Sequence, residues 1–308
     1  MNCTFRRYAC PAGITEDYRL LRAFFLKRLG DDFPFGRWDW MITHGWLDHD
    51  SVNKIGIWED KGDIVGVATF DTQPGEGFLG VMPGYEYLRP EMVRYARENL
   101  RKDNKFRLLV WDADPAFQQI AAEEGFVPTP NKEYDAAFLI ENPHSIRSML
   151  PDGYRLIGME EGFDVEKYGQ VLWKGFNHEL NGEGPLDLSD RKRKQLTDEM
   201  IRPNVDLSLK IAVLAPNGDY AAYCGMWLDP ASTDALVEPV ATDPQYRKLG
   251  LGKAAVLEGV RRCGLRGARR ALVGSCQQFY YSIGFRLLNT YTWWAEKGIS
   301  PQKHETIS

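Results

Sequence analysis

An α/β protein made of two successive, similarly built halves is predicted by three features of the sequence. The length of 308 residues is about twice that of an ordinary domain. The order of strand-like and helix-like patterns repeats once along the chain. The composition, 44% apolar and 26% charged with nine Trp, is that of a folded globular chain able to bury a core in each half.

The repeat is weak in identity and consistent in order. Phe5 to Leu29 and Tyr154 to Asn177 each open as a strand and continue with helical apolar spacing, through Leu20, Leu21, Phe24 and Phe25 in one case and Tyr168, Val171, Leu172 and Phe176 in the other. Lys54 to Phe70 and Lys210 to Met226 are two apolar runs joined by a short turn containing Gly-Asp, the chemistry of a β-hairpin. A third strand follows, Gly77 to Val81 or Ala235 to Ala241, and then a helix, Pro90 to Leu100 or Gly252 to Cys263, the latter with Gly264 as its expected stop. A strand, Phe106 to Trp111 or Ala268 to Val273, leads into a short helix that ends at Gly125-Phe126 or Gly284-Phe285, before a last strand. The Pro, Asn and Gly between Glu141 and Tyr154 mark a connection, so the expected domains are 1–148 and 149–308. Ile299 to Ser308 is polar and is expected to be a mobile tail.

A net charge of −5 supplies no basic footprint, which argues against nucleic acid and mildly favours a cationic small acceptor. Cys3, Cys10, Cys224, Cys263 and Cys276 are odd in number, with no CxxC pair and no ligand-like spacing to a histidine. A reduced, cytoplasmic chain without a metal is the expectation. His44 and His49, near Asp48 and Asp50, have no recognisable ligand spacing and are expected in a solvated loop. No leader and no run of 18 apolar residues is evident, so neither secretion nor membrane spanning is expected.

Chemistry concentrates in the segment from Ala235 to Val260, which has the pattern strand, loop, glycine-rich turn, helix. A helix N-terminus leaves backbone N–H groups unpaired and partially positive, and glycines let a diphosphate approach them closely. Arg247, Lys248 and Lys253 add charge at the same place, and Leu251, Ala254, Ala255 and Leu257 give the helix a face to pack on a sheet. The spacing Gly250-x-Gly252-x-x-Ala255 also fits a dinucleotide fingerprint. Against that, Thr242 to Leu249 separate the strand from the glycines, and the next strand ends Val273-Gly274-Ser275 with no acidic residue. A Walker loop fails because Ala254 follows Lys253 and no glycine precedes at the required spacing.

Arg247-x-x-Gly250-x-Gly252 after a strand resembles the acyl-coenzyme A pyrophosphate loop of the GNAT N-acetyltransferase superfamily. Downstream, Tyr280 stands four residues before the Gly284-Phe285 pair, the spacing of the tyrosine that opens the last helix in that family. The resemblance covers residues 153 to 297, and the first half matches as a degenerate copy, so it implies two tandem GNAT folds. It further implies acetyl-CoA as co-substrate, held by Arg247, Lys248, Leu249, Gly250, Leu251, Gly252 and Lys253 around the pyrophosphate. Backbone groups of Val240, Ala241 and Thr242 would pair with the pantetheine arm and supply an oxyanion-type donor. The implied reaction is direct attack of an acceptor amine on the thioester in a ternary complex.

That reaction needs an acid for the leaving thiolate, and Tyr280 is the matched position; Tyr281 beside it is expected to be packing. An alkylamine of pKa near 10.4 is mostly protonated at neutral pH, so a base is also needed. Glu238 is the candidate: a carboxylate within an apolar strand is costly to bury, and alternation puts it on one face with Val240 and Thr242. The competing reading of Glu238 is a structural ion pair or cap. His178, Glu179 and Trp227 are further acceptor-side candidates, each equally explained as structure.

The first half reads Val81 to Glu91 at the place of the glycine loop, without the paired glycines or leading arginine, and carries Ala121 where the second has Tyr280. It is expected not to catalyse. Its aromatic stretch, Phe33, Phe35, Trp38, Trp40 and Trp46, is either core or an interdomain seam, or else a wall of the acceptor cleft. An acyl-CoA-binding regulatory module and a nucleotide-binding oxidoreductase are the rival functions. The acceptor is expected to be an amine of a small molecule or a peptide, and which one is not legible, because acceptor pockets are built from variable loops. The oligomeric state is not legible either, since two domains could bury their seams within one chain.

Overall fold

The computed structural model describes residues 3–28, 30 and 32–298; the expected tail from Ile299 lies outside the described residues. The described residues form two compact units, one of residues up to 135 with those from 288 onward, the other of residues 136–287.

Both repeats have the same element order. The first runs β1 (Thr4–Arg7), α1 (Glu16–Arg28), α2 (Phe35–Thr43), β2 (Gly56–Asp60), β3 (Asp63–Thr69), β4 (Glu76–Val81), α3 (Arg89–Asn99), β5 (Arg107–Trp111), α4 (Pro115–Glu123) and β6 (Phe126–Leu139). The second runs β7 (Arg155–Gly158), α5 (Val165–Gly175), α6 (Asp190–Met200), β8 (Lys210–Leu214), β9 (Tyr220–Leu228), β10 (Asp234–Thr242), α7 (Leu251–Leu265), β11 (Arg270–Val273), α8 (Gln278–Ser282) and β12 (Arg286–Glu296). The expected strands, hairpins and helices are all present. The helices α2 and α6, one in each repeat, are additional. Much of α6 is charged and polar, with Leu196 and Met200 as its buried residues, too thin a stripe to announce a helix by periodicity. In α2 the aromatic residues supply the buried face: Phe35 and Trp38 enter the core with Phe33, while Trp40 lies under the Arg37 guanidinium and Trp46 is exposed. That stretch is therefore mainly core of the first unit.

The first unit's strands follow the order β1-β2-β3-β4-β5-β12-β6, with β1–β2, β2–β3, β3–β4 and β5–β12 antiparallel and β4–β5 parallel. In the second the order is β6-β11-β10-β9-β8-β7, with β10–β11 parallel. The division between units falls inside β6 and again inside β12. β5 pairs with β12 from the end of the chain, and β11 pairs with residues 136–139 of β6. A single cut near residue 148 does not describe this exchange, which no local pattern encodes, because strand partners are chosen by tertiary packing.

In the second unit, strand alternation builds two layers. Ile211, Val213, Ala222 and Cys224 pack with Leu251, Ala255, Val256 and Val260 of α7. Ala212 and Tyr223 pack with Tyr168 and Val171 of α5 and with Leu196 and Met200 of α6. The expected stop of α7 at Gly264 is corrected: the helix reaches Leu265 and turns at Gly267, φ +101°. Ala268 N–H bonds the Cys263 carbonyl and Gly267 N–H the Gly264 carbonyl, a Schellman closure that needs the left-handed residue one turn later than Gly264.

Candidate functional site

The site begins where two parallel strands part. β10 and β11 are in register from Asp234 to Leu236, opposite Arg270 to Leu272, and beyond that point β10 has no partner on that side among the described residues. On its other side β10 stays with β9, but the register slips between Val237 and Val240. The two residues in the slip are Glu238 and Pro239, and proline has no N–H to give to a ladder. The Glu238 carbonyl points back at β9, where a Cβ on Gly225 would come within 2.4 Å of it, so only glycine fits opposite the bulge. Trp227 N–H then donates to the same carbonyl at 2.9 Å.

Glu238 is half-buried, as are Val240 and Thr242, and Ala241 is buried. Tyr280 lies 8% exposed in α8, its ring packed edge-on against Phe279 and Phe285, with no hydrogen bond from its hydroxyl among the described residues. Burial raises the Tyr280 hydroxyl far above the ordinary tyrosine value, and the charge of Glu238, with a smaller effect from Cys224, raises it further. The structure thus brings Glu238 and Tyr280 into one electrostatic neighbourhood from strands and helices about forty residues apart in sequence. Tyr281 is half-buried and packs against the core, as expected.

After β10, a one-turn 3₁₀ segment at Pro244–Tyr246 is capped by Asp243, and the chain reaches Gly250, whose φ of +79° makes it the left-handed lead-in to α7. Lys248 is left-handed too, with φ +65°. Two successive left-handed excursions turn the backbone so that the N–H groups of residues 248 to 253 donate to nothing among the described residues; the first bonded amide of the helix is that of Ala254, to the Gly250 carbonyl. Leu251 and Gly252 are buried and anchor the turn, while Lys248, Leu249, Gly250 and Lys253 are exposed around it. A Cβ on Gly252 would come within 2.7 Å of the Thr242 hydroxyl oxygen, so this glycine brings the helix start up to the end of β10. The intervening 3₁₀ turn separates strand from helix and differs from the direct strand-to-helix turn of a dinucleotide fold.

Arg247 has a more specific position than its motif implies. Its guanidinium donates to the Thr242 carbonyl at 3.3 Å, the Gly175 carbonyl at 2.9 Å and the Asn177 side chain at 2.6 Å. It ties the glycine loop to the end of α5. There the loop of residues 177–184 closes on itself: the His178 ring stacks on Trp173 at 4.1 Å and contacts Glu183 at 2.8 Å, and Trp173 N–H donates to the Gly184 carbonyl. His178 is thereby part of the loop's own framework, Glu179 is exposed beside it, and Trp227 is buried with its N–H engaged. Sequence reasoning missed Gly175, Asn177 and Gly225, whose signal is the close backbone approach that only a folded chain reveals.

The corresponding turn of the first unit is occupied by its own chain. The N–H groups of Met82, Gly84, Tyr85 and Leu88 are all hydrogen-bonded, and Arg89 at the start of α3 pairs with Asp114 at 2.8 Å and covers the Phe117 ring. Ala121 is buried at the position matching Tyr280. Among the described residues no group of three or more His, Cys, Asp or Glu is placed to hold a metal, and no helix is long and apolar enough to cross a membrane.

Comparison with known proteins agrees with this geometry. The family model described as Acetyltransferase (GNAT) family matches residues 173–285. No curated protein matches the sequence. Among solved structures, a tandem GNAT protein from the clavulanic acid biosynthesis pathway has a TM-score of 0.60 at 15% identity, covering 97% of this chain and 100% of that one. A GCN5-related N-acetyltransferase from Sphaerobacter thermophilus has a TM-score of 0.59 at 14% identity, covering 96% and 95%. The N-myristoyltransferase of Saccharomyces cerevisiae, solved with bound myristoyl-CoA, has a TM-score of 0.53 at 11% identity, covering 96% and 78%. The fold is that of two tandem GNAT units on a mixed α/β plan.

Proposed function

We propose that the chain, whose residues 173–285 match the acetyltransferase (GNAT) family model, transfers an acetyl group from acetyl-CoA to a primary amine by direct attack in a ternary complex. The observation that carries this reading is the run of undonated N–H groups from residue 248 to 253, beside the free edge of β10. A helix start with unpaired donors and Lys248 and Lys253 around it suits a pyrophosphate. Arg247 supports the loop by holding it to α5. Val240, Ala241 and Thr242 offer backbone groups to the pantetheine arm and to the oxyanion that forms as the amine adds to the thioester carbonyl.

In this reading Glu238 takes a proton from the ammonium form of the acceptor, and the freed amine attacks the acetyl carbon. The C–S bond breaks, and the sulfur takes the Tyr280 proton. Glu238 and the acetylated amine each release a proton to solvent, and Tyr280 takes one back from it, so that one proton is released per turnover and both side chains return to their starting states. A tyrosine raised well above its ordinary value keeps its proton until a thiolate forms next to it, which suits an acid. The first unit, whose matching turn is self-bonded, does not bind the co-substrate in this proposal. The free thiols of all five cysteines accord with a reducing, cytoplasmic setting.

Calorimetric titration with acetyl-CoA tests the cofactor site, with the exposed Lys253→Glu variant as the control. The expected result is one site per chain, weakened about tenfold in the variant, a loss of ~1.4 kcal/mol. A panel of amines with thiol detection then distinguishes transfer from a regulatory module, which would bind acetyl-CoA and release no thiol with any amine. Two sites per chain would overturn the reading of the first unit, and no binding would overturn the cofactor assignment.

A further inference from the structure

Lys210 opens β8 and is 1% exposed, an unusual place for an ammonium group in the sheet of an acyl-transfer unit. Its position in the ladder explains what it does. Lys210 pairs with Gly225 on β9, and Gly225 faces the Glu238–Pro239 slip on β10, so the three lie in one row across three strands. Gly225 itself, having no side chain, places none between the lysine and the bulge. The Lys210 ammonium donates to the Met226 carbonyl at 2.9 Å and lies 3.4 Å from the centre of the Trp227 ring. Trp227 in turn gives its indole N–H to the Glu238 carbonyl. Lysine, indole and bulge form one connected chain of contacts.

We propose that Lys210 is a positioning residue for this site: its buried ammonium clamps Trp227 and the Met226 carbonyl, so that the indole holds the Glu238 backbone and fixes the bulge from which Glu238 is presented. The inference rests on the proposed role of Glu238 as base. A desolvated cation on an indole face is a strong contact, and the planar ring transmits the constraint to its N–H. Without the ammonium, the Trp227 ring loses the partner on its face and the Glu238 carbonyl loses a fixed donor. The carboxylate then samples orientations unsuited to proton transfer, although the fold and the glycine loop are untouched.

The test uses the full chain and a reaction that needs no identified amine, the slow release of coenzyme A thiol from acetyl-CoA with water as the acceptor. Lys210→Met keeps the length and removes the charge. The expected result is a fall in kcat of about tenfold to a hundredfold with the acetyl-CoA KM unchanged, and partial recovery in Lys210→Arg, which restores a cation for the indole face. Hydrogen exchange of the Trp227 indole N–H, followed by NMR, is expected to be slow in the native protein and at least tenfold faster in Lys210→Met. Trp227→Phe keeps a ring beside the lysine, removes only the donor, and serves if Lys210→Met does not fold; it is expected to lower kcat without changing KM.

Unchanged kcat and indole exchange in a folded Lys210→Met would overturn the proposal, as would an unchanged kcat in Trp227→Phe. Glu238→Gln separates this from the reading beneath it. If Glu238→Gln lowers kcat and Lys210→Met does not, the lysine assignment alone fails. If Glu238→Gln has no effect, or the native protein releases no thiol, the base assignment fails and the lysine's role with it.

Discussion

The Arg247 guanidinium donates to the Gly175 carbonyl across 2.9 Å, so the residue that heads the glycine loop also holds the end of helix α5. Its further bonds to Asn177 and Thr242 join the loop after α5, the last residue of β10 and the glycine turn. A mutation there acts on all of them. Arg247→Ala is expected to speed amide exchange across residues 176–184 and to weaken acetyl-CoA binding about threefold to tenfold, with the α7 amides still protected. Hydrogen exchange by mass spectrometry, with and without acetyl-CoA, checks both parts. Slow exchange in that loop would show that the arginine does not hold it.

Gly175 makes a second, steric prediction. A Cβ on it would lie 2.7 Å from the Ala241 Cβ and 3.0 Å from the Thr242 nitrogen, and the latter is backbone that cannot step aside cheaply. Gly175→Ala is expected to cost about 1–3 kcal/mol by overpacking, read from urea unfolding. Acetyl-CoA affinity should fall as well, because the displaced residues border the strand edge that receives the pantetheine arm in the proposed function.

Tyr280→Phe separates chemistry from stability. The hydroxyl has no hydrogen-bond partner among the described residues, so its removal is expected to leave the unfolding midpoint unchanged or slightly raised. In the proposed mechanism the same change removes the acid, and kcat for thiol release with an amine falls about 10²- to 10⁴-fold while acetyl-CoA still binds. A variant with native kcat would remove Tyr280 from the mechanism.

Buried tyrosines set the alkaline limit of the fold. Burial raises Tyr8 to about 12, and raises Tyr168 and Tyr223 well above the ordinary 10.0. The folded state therefore holds these protons more tightly than the unfolded chain. Their stabilisation is fully present below pH 10.0 and is lost as pH rises toward 12 for Tyr8 and beyond that for the other two. Far-UV circular dichroism and tyrosinate absorbance are expected to change together above pH 10.0, in one cooperative transition. Gradual ionisation with the fold intact would contradict the burial of these rings.

The exchanged strands predict how the chain tolerates cutting. A chain ended at Leu287 lacks the partner of β5, and one begun at Pro151 lacks the residues of β6 that pair with β11. Either exposes an unpaired edge and is expected to aggregate or remain partly unfolded, as judged by size-exclusion chromatography and proteolysis. A monomeric, protease-resistant second half would show that the exchange is dispensable.

By itself the sequence determined whatever depends on neighbours along the chain. Period-2 runs, the Gly-Asp hairpins and the glycine lead-in at Gly250 encode their local geometry directly, so the repeated order of elements, the glycine loop and the position of Tyr280 were legible. Tertiary structure alone decided which strands pair across the repeats, that Arg247 turns toward Gly175, and that Lys210 lies in a row with Gly225 and the Glu238 bulge. Strand register, close backbone approach and the desolvation of a buried ammonium arise from segments far apart in sequence. No window of local pattern contains both partners of such a contact.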